Sequence, residues 1–394
     1  MAYDDLIIGS GISALGVALA LSGTGRRIAC LAGDDRGQLS TYPGTNVPCD
    51  FTGAGGLGNF WHGVVPLAFS TGFENLDKNS ARELLTHFYP GLSPEVMGSD
   101  MLFVPYRPIR PTTHFATLAS RSKRLEVRRT QVLSLRRSSG GVTCETTQGI
   151  VNASRAWIAC GALGTPRLLE RSGLVKPRER TVSDHIIGYA GLIDSQHVPA
   201  FVRRPRRVSE GVLFGCAYDH GRSVLYMPRP ARFDFSRLDA GMTKRALFGL
   251  PTSRIVAGLM GRFSLGLLSE AVYNKFGLFA NARRYSVNYI AEAPALYRLC
   301  PKRGLLAATD EAVAQITSQA VGKTPLDGLE PTRRPDLFLP GVHLHSSLTL
   351  DEQAEFCGDG PISVVDASML RSIGPEHHTF KMMALAHQRA SAAS

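Results

Sequence analysis

A chain of 394 residues that is 44% hydrophobic and 20% charged can bury a large core, which excludes a disordered or fibrous protein. Its cysteines, at 30, 49, 144, 160, 216, 300 and 357, form no C-x-x-C pair, which argues against a thiolate metal site or a disulfide scaffold and for a reducing, cytoplasmic setting. The net charge of +11 is spread over separate clusters such as Arg107–Arg110, Arg121–Arg129, Arg203–Arg207 and Arg333–Arg334, without interleaved aromatics, so an ordinary solvated basic face is expected first, steering of an anionic ligand second, and a nucleic-acid surface least.

The uncharged run Leu6–Gly25 follows Asp4 and Asp5, where an export signal needs positive charge, and it contains glycines that a membrane anchor does not explain. It reads instead as a short strand, Asp5–Gly9, a turn, and a small-residue helix over Ser10–Leu21. The turn Gly9-Ser10-Gly11-Ile12-Ser13-Ala14 has the G-x-G-x-x-G/A spacing. One glycine permits the tight turn, one lets backbone approach a diphosphate, and the small residue lets helix cross strand. The helix N-terminus then offers backbone donors to the phosphates.

A second strand is expected over Arg27–Leu31, followed by Ala32-Gly33-Asp34. Asp34 is the candidate for a ribose contact, displaced from the strand end where that carboxylate usually stands; turn chemistry alone also explains it. The segment Phe51–Gly63 carries five glycines with Asn59, Trp61 and His62, a composition suited to backbone passing close to a flat or phosphorylated group.

Leu125–Arg136 and Gly141–Gly149 read as hairpin strands, Ala153–Ala159 as a further strand, Cys160–Pro166 as a turn and Arg167–Arg171 as the start of a helix. Beyond Tyr189 the pattern changes. Val212–Gly215, Ser223–Met227 and Tyr285–Ile290 look like strands, and Met242–Phe248 and Ser264–Tyr273 look helical. Arg283, Arg284, Tyr285, Asn288 and Tyr289 offer polar groups for a substrate. Thr324–Asp336, rich in proline and charge, marks a return linker.

The last segment holds Gly341-Val342-His343-Leu344-His345, then Val364-Val365-Asp366 leading from strand to turn, then His377-His378-Thr379 before a helix over Thr379–Arg389. If the first of these is extended, His343 and His345 face the same side.

Four segments together resemble the glucose-methanol-choline (GMC) family of FAD-dependent oxidoreductases. They are Ala159–Leu174, Ser183–Gly188, Val364–Leu370 and His377–Ala386. The resemblance implies an α/β fold, with a Rossmann-like FAD-binding domain interrupted by a mixed-sheet α+β substrate cap. The expected divisions are 1–70 (FAD-binding, first part), 71–115 (lid or connecting segment), 116–188 (FAD-binding, middle part), 189–338 (cap) and 339–394 (FAD-binding, with the catalytic histidines).

It further implies that Gly9, Gly11, Ile12, Ser13 and Ala14 hold the diphosphate of FAD. Gly55, Gly56, Asn59 and Trp61 would lie along the flavin. Ala159, Cys160, Gly161, Asp366, His378 and Thr379 would complete the cofactor site. His343 matches one catalytic histidine of the family and His377 the second, with His345 competing for the first role. Departures are plain: Ser346 and Ser347 replace a Gly-Thr pair, Ala32 stands where an acidic residue is usual, and His378 replaces a proline. Phe60 occupies the position of the flavin-linked histidine of a related subgroup, so noncovalent FAD is expected, with His62 the neighbouring alternative.

The implied reaction is oxidation of an alcohol or sugar hydroxyl, with oxygen, a quinone or a protein as electron acceptor. A neutral imidazole, with an ordinary pKa of about 6.5, suits the proton-accepting step. Two other readings stand beside it. His343, His345, His377 and His378, with Glu352 or Glu376, form a possible metal set. A noncatalytic flavin-binding subunit is the third.

Overall fold

The computed structural model describes the chain except residues 1–2, 35–36, 44, 46, 69–74, 94–100, 220–222, 232–264, 307–309, 323–325, 333–337 and 359. The expected helix at Met242–Phe248 lies outside the described residues. So do Arg333–Arg334 and much of the expected linker.

The first sheet begins with Tyr3–Ile8, parallel to Ile28–Leu31 on one side and to Gly149–Ile158 on the other; Leu125–Arg128 adds beyond Ile28–Leu31, also parallel. Gly149–Ile158 is shared along its length. Its first half pairs antiparallel with Gly141–Thr146, and its second half pairs parallel with Ile362–Val364 from near the C-terminus. The chain therefore leaves this sheet and returns to it after some two hundred residues of other structure. Leu125–Arg128 proves to be a parallel strand, so the antiparallel hairpin is formed by Val132–Ser138 with Gly141–Thr146.

Helices cover both faces, because the runs Leu6–Ile8, Ile28–Leu31 and Ala156–Ile158 are apolar at successive positions and bury both sides. Ile7, Cys30 and Trp157 pack with the helices Ile12–Leu21 and Thr379–Ala392. Leu6, Ile8, Leu31 and Ile158 pack on the opposite side with Leu168 and Leu169 of the helix Gly161–Arg171. The two helices of the first face touch closely at Gly16, where any Cβ would lie 2.2 Å from the carbonyl oxygen of Met383. Gly9 is required twice over: its φ is +104°, and a Cβ would lie 2.3 Å from the carbonyl oxygen of Ala159.

The helix Gly161–Arg171 starts six residues before the expected Arg167, taking in what reads as a turn. Pro166 cannot donate to the Ala162 carbonyl one turn back. The Ser347 hydroxyl donates to that carbonyl instead, at 2.5 Å. A contact from the distant return segment thus supplies what the local sequence lacks.

The second sheet is antiparallel and carries the long strands Arg180–Asp194 and Arg284–Cys300, with Val224–Pro230 and shorter strands at its edges. Arg180–Asp194 runs unbroken across residue 188, with bulges at Val182/Asp184 and Tyr189/Gly191. A third, small sheet joins Val65–Pro66, Met101–Pro105, Gly211–Gly215 and Arg206–Val208. The architecture is a Rossmann-like mixed sheet with a curled second sheet as its cap. Among the described residues, no helix is long and apolar enough to cross a membrane.

Candidate functional site

A cavity of about 1000 Å³ runs between the first sheet and the cap. At one end it is walled by Gly9, Ser10, Gly11, Ile12 and Ser13, at the mouth of the helix Ile12–Leu21. That helix has no capping side chain at Gly11 and no acidic residue in its first turn. Its N-terminal N–H groups are thus suited to an anion. Gly56, Trp61, Ala159, Cys160 and Gly161 continue the wall. The donor set and the backbone-lined trough fit a dinucleotide diphosphate.

Asp366 lines the cavity from a fully enclosed position. Its carboxylate accepts from the Gly161 N–H (2.9 Å), the Thr165 hydroxyl (2.5 Å), and the Ser368 N–H (3.0 Å) and hydroxyl (2.6 Å). Burial raises its pKa despite these bonds. It ties the return strand to the helix Gly161–Arg171.

The remaining expected cofactor residues stand behind the wall or apart from it. Ala14 is buried in the core. Asp34 is exposed and does not line the cavity. The Gly55 N–H donates to the Ser10 hydroxyl at 2.8 Å. Asn59 donates to the Ala54 carbonyl and accepts from the Thr112 hydroxyl, fixing the glycine loop from behind. Of the polar cap residues expected around the substrate, Asn288 lines this cavity, whereas Tyr289 is buried in the sheet and Arg284 pairs with Asp194 and Glu330.

Another part of the cavity wall is built from histidines. His343, His377 and His378 line it, with Thr379 at the start of the last helix. His343 is the hub: its ring centroid lies 4.5 Å from that of His378, 4.9 Å from His185 and 5.9 Å from His377, each nearly perpendicular. The backbone around it is constrained. Val342 and Ser346 have φ of +62° and +59°, a strained region for residues other than glycine. Three hydrogen bonds to the strand Arg180–Asp194 hold this conformation. Gly341 N–H donates to the His185 carbonyl (2.7 Å), His343 N–H to Asp184 (2.8 Å), and His345 N–H to the Ser183 carbonyl (3.0 Å). Asp184, fully buried at the bulge, also accepts from the His185 N–H and from the Tyr42 hydroxyl. Burial holds the Tyr42 pKa well above 10, so the phenol remains a donor.

His185 and His343 meet Nδ1 to Nδ1 at 2.8 Å, and His185 Nε2 lies 2.5 Å from the Gly374 carbonyl. A carbonyl only accepts, so His185 carries its proton on Nε2. In the neutral ring Nδ1 is then an acceptor, and His343 must donate from Nδ1. The basic nitrogen of His343 is therefore Nε2.

His345 is fully buried and absent from the cavity wall. Its Nε2 bonds Glu292 at 2.9 Å, and Glu292 also accepts from the Ser372 hydroxyl and the Ile373 and Gly374 N–H groups. Burial opposes charge on Glu292, but hydrogen bonds from His345 and Ser372 bring its pKa down to about 2. The pair pins the 372–374 loop, whose Gly374 carbonyl orients His185.

His378 differs from its neighbours. Its Nδ1 is buried with no hydrogen-bond partner among the described residues. Burial, and then the surrounding imidazoles, hold its pKa well below 6.5, so it is neutral. His185, His343 and His378 can each present one ring nitrogen with all three within 4.8 Å of one another. This set takes His185 and leaves out both His345 and His377, which the sequence suggested. The carboxylates expected with it are engaged elsewhere: Glu352 with Arg178 and Arg180, and Glu376 with Lys381. His185 was the least visible member in sequence, its one signal being the Asp184-His185 pair.

No known protein family matches the sequence, and no curated protein matches it either. Among solved structures, the chain is similar to the crystal structure of pyridoxine 4-oxidase from Mesorbium loti, with a TM-score of 0.54 over 99% of both chains and 14% identity. OxyS anhydrotetracycline hydroxylase from Streptomyces rimosus aligns at a TM-score of 0.36 and 12% identity, over 100% of this chain and 62% of that one, too loosely to inform the fold. The likeness shows the fold alone, a Rossmann-like sheet with a second sheet as its cap.

Proposed function

We propose that this chain is an FAD-dependent oxidoreductase that oxidises an alcohol or sugar hydroxyl to a carbonyl. One observation carries the reading: a single cavity joins the Gly9–Ser13 helix mouth to His343 and His377. Gly9, Gly11, Gly56 and the 159–161 segment would hold the cofactor, with the N-terminus of the Thr379–Ala392 helix beside it. FAD, when bound, supplies the acceptor for the hydride.

His343 accepts the hydroxyl proton at Nε2 as the carbon–hydrogen bond breaks, while its Nδ1–H stays bonded to His185. His377 positions the substrate oxygen. Asp184 and Glu292 fix the backbone and loop that hold the histidines, so the base is placed before substrate arrives. Purified protein with a flavin spectrum, bleached anaerobically by an alcohol, tests the reading; tightly folded protein that neither carries nor takes up flavin overturns it.

A second reading rests on its own observation. His185, His343 and His378 form a three-nitrogen set, the buried Nδ1 of His378 lacks a partner among the described residues, and His185 is oriented by a backbone carbonyl as metal-bound imidazoles commonly are. This fits a metal ion at the histidine part of the same cavity, as a histidine-ligated metalloenzyme. Metal analysis, with and without His378→Ala, tests it: stoichiometric metal lost in the variant supports it, and metal absent after loading with zinc, cobalt or iron rules it out.

A further inference from the structure

Four cations line the cavity: Arg171, at the end of the helix Gly161–Arg171, and Arg110, Arg229 and Lys275 elsewhere on the wall. Among the described residues, none has a carboxylate within ion-pair distance. Arg110 donates to the Trp61 carbonyl, Arg229 to the Pro228 carbonyl (3.1 Å) and Lys275 to the Pro105 carbonyl (2.8 Å). These are backbone acceptors that leave the charge uncompensated. The acidic residues that line the cavity are Asp50 and Asp366. Asp366 is committed to its four donors, and Asp50 stands 3.9 Å from Arg167.

The positions are built rather than incidental. Arg229, only 9% exposed, lies over the rings of Phe214 (4.9 Å) and Tyr273 (5.9 Å), which fixes its planar fork. Tyr273 and Lys275 share one helix, Leu265–Phe276, and Lys275 reaches the end of the strand Met101–Pro105. Arg110 follows that strand. Burial lowers the pKa of both Arg110 and Lys275, and the two repel each other. Around them the cavity wall is apolar, with Val64, Leu102, Val104, Phe214 and Met227. Buried or half-buried cations with no carboxylate beside them among the described residues are costly, and a wall of this kind suits an anion.

We propose that the substrate bears a small anionic group, a carboxylate or phosphate, on a largely apolar body, with Arg229 and Lys275 as its principal contacts and Arg110 as the third. The inference rests on the reading of this cavity as the substrate chamber of an oxidoreductase and names that substrate's class. The anion sets which end of the molecule meets the cations. The reacting hydroxyl is thereby directed to the histidines.

The test compares 4-(hydroxymethyl)benzoate with neutral 1,4-benzenedimethanol, using the full chain and isothermal calorimetry. The carboxylate should bind about tenfold or more tightly than the diol, with the advantage shrinking as salt rises. Arg229→Gln and Lys275→Gln should each remove most of that advantage, while Arg229→Lys restores part of it should the glutamine variant fold poorly. Equal affinity for the two compounds, or an anion advantage that survives both glutamine variants, overturns the proposal. So does loss of flavin from these variants with the anion preference intact, because the cations then serve the cofactor phosphates. Protein that takes up no flavin yet keeps a cation-dependent carboxylate preference defeats the oxidoreductase reading alone.

Discussion

The Nδ1 atoms of His185 and His343 are 2.8 Å apart, and the carbonyl of Gly374 on the far side of His185 dictates which of the two donates. One backbone oxygen thus sets the tautomer of a side chain it does not touch. The carbonyl is itself held by Glu292, through the Gly374 N–H and the Ser372 hydroxyl. The order of control runs from a buried carboxylate to a loop, then to an orienting imidazole, and last to the imidazole at the cavity wall.

His343→Ala should lower anaerobic flavin reduction by about 10²- to 10⁴-fold, the range for a general base, with flavin retained. His345→Ala should instead lower thermal stability, because it strips Glu292 of a buried partner. Stopped-flow reduction and a melting curve on both variants separate the roles. Undiminished reduction in His343→Ala refutes the assignment.

His185→Leu leaves His343 in place but removes the acceptor of its Nδ1–H. The expected result is a fall in kcat of about tenfold or more with smaller change in KM, and a displaced pH profile for kcat/KM. An unaltered profile would mean that the His185–His343 bond has no part in orienting the base.

Chelator treatment separates the two readings of the site. Under the flavin reading, turnover survives dialysis against EDTA and is unaffected by added zinc. Under the metal reading, one equivalent of metal binds, activity follows the metal, and His378→Ala loses both, since neutral His378 is available as a ligand at all physiological pH. Elemental analysis beside the assay reads either outcome.

Acid should destabilise the fold through Glu352 and Glu292, whose pKa values are both brought down to about 2, from 4.5. Burial disfavours each charge, but hydrogen bonds dominate: from Arg180, the Thr349 N–H and Arg178 for Glu352, and from His345 and Ser372 for Glu292. Because the folded-state pKa is the lower one, their contribution is present in full above roughly pH 5 and is lost as pH falls toward 2. Glu352→Ala leaves buried Arg180 with Glu170 alone and should cost about 3–5 kcal/mol. Urea unfolding of wild type and variant from neutral to acid pH measures both effects, and the difference between them should narrow as pH falls.

The glycine turn at Gly9–Ala14, the strand before it and the helix after it were legible from residues 3 to 21, since each depends on neighbours a few positions away. The same holds for the turn at Asp366 and the last helix, whose apolar and small residues announce it. The resemblance carried by the segments around 160, 184, 366 and 380 pointed to a flavin-oxidoreductase fold, and the architecture agrees at that level. The early start of the helix at Gly161 was not legible, because Pro166 suits an early helical position, and only Ser347 shows that the Ala162 carbonyl behind it is satisfied.

The composition of the histidine cluster was decided only by the tertiary structure. His343 and His345 alternate along one segment flanked by the left-handed residues Val342 and Ser346, yet they stand in different surroundings, one on the cavity wall and one against Glu292. His185 enters from a strand 158 positions away, through a bulge that no local pattern records. Arg110, Arg229 and Lys275 are likewise ordinary basic residues in sequence. They acquire a meaning because, among the described residues, no carboxylate stands beside them. Local periodicity encodes which element forms. Long-range register and the pairing of buried charge are collective properties of the folded chain, and they are what fix the chemistry at its centre.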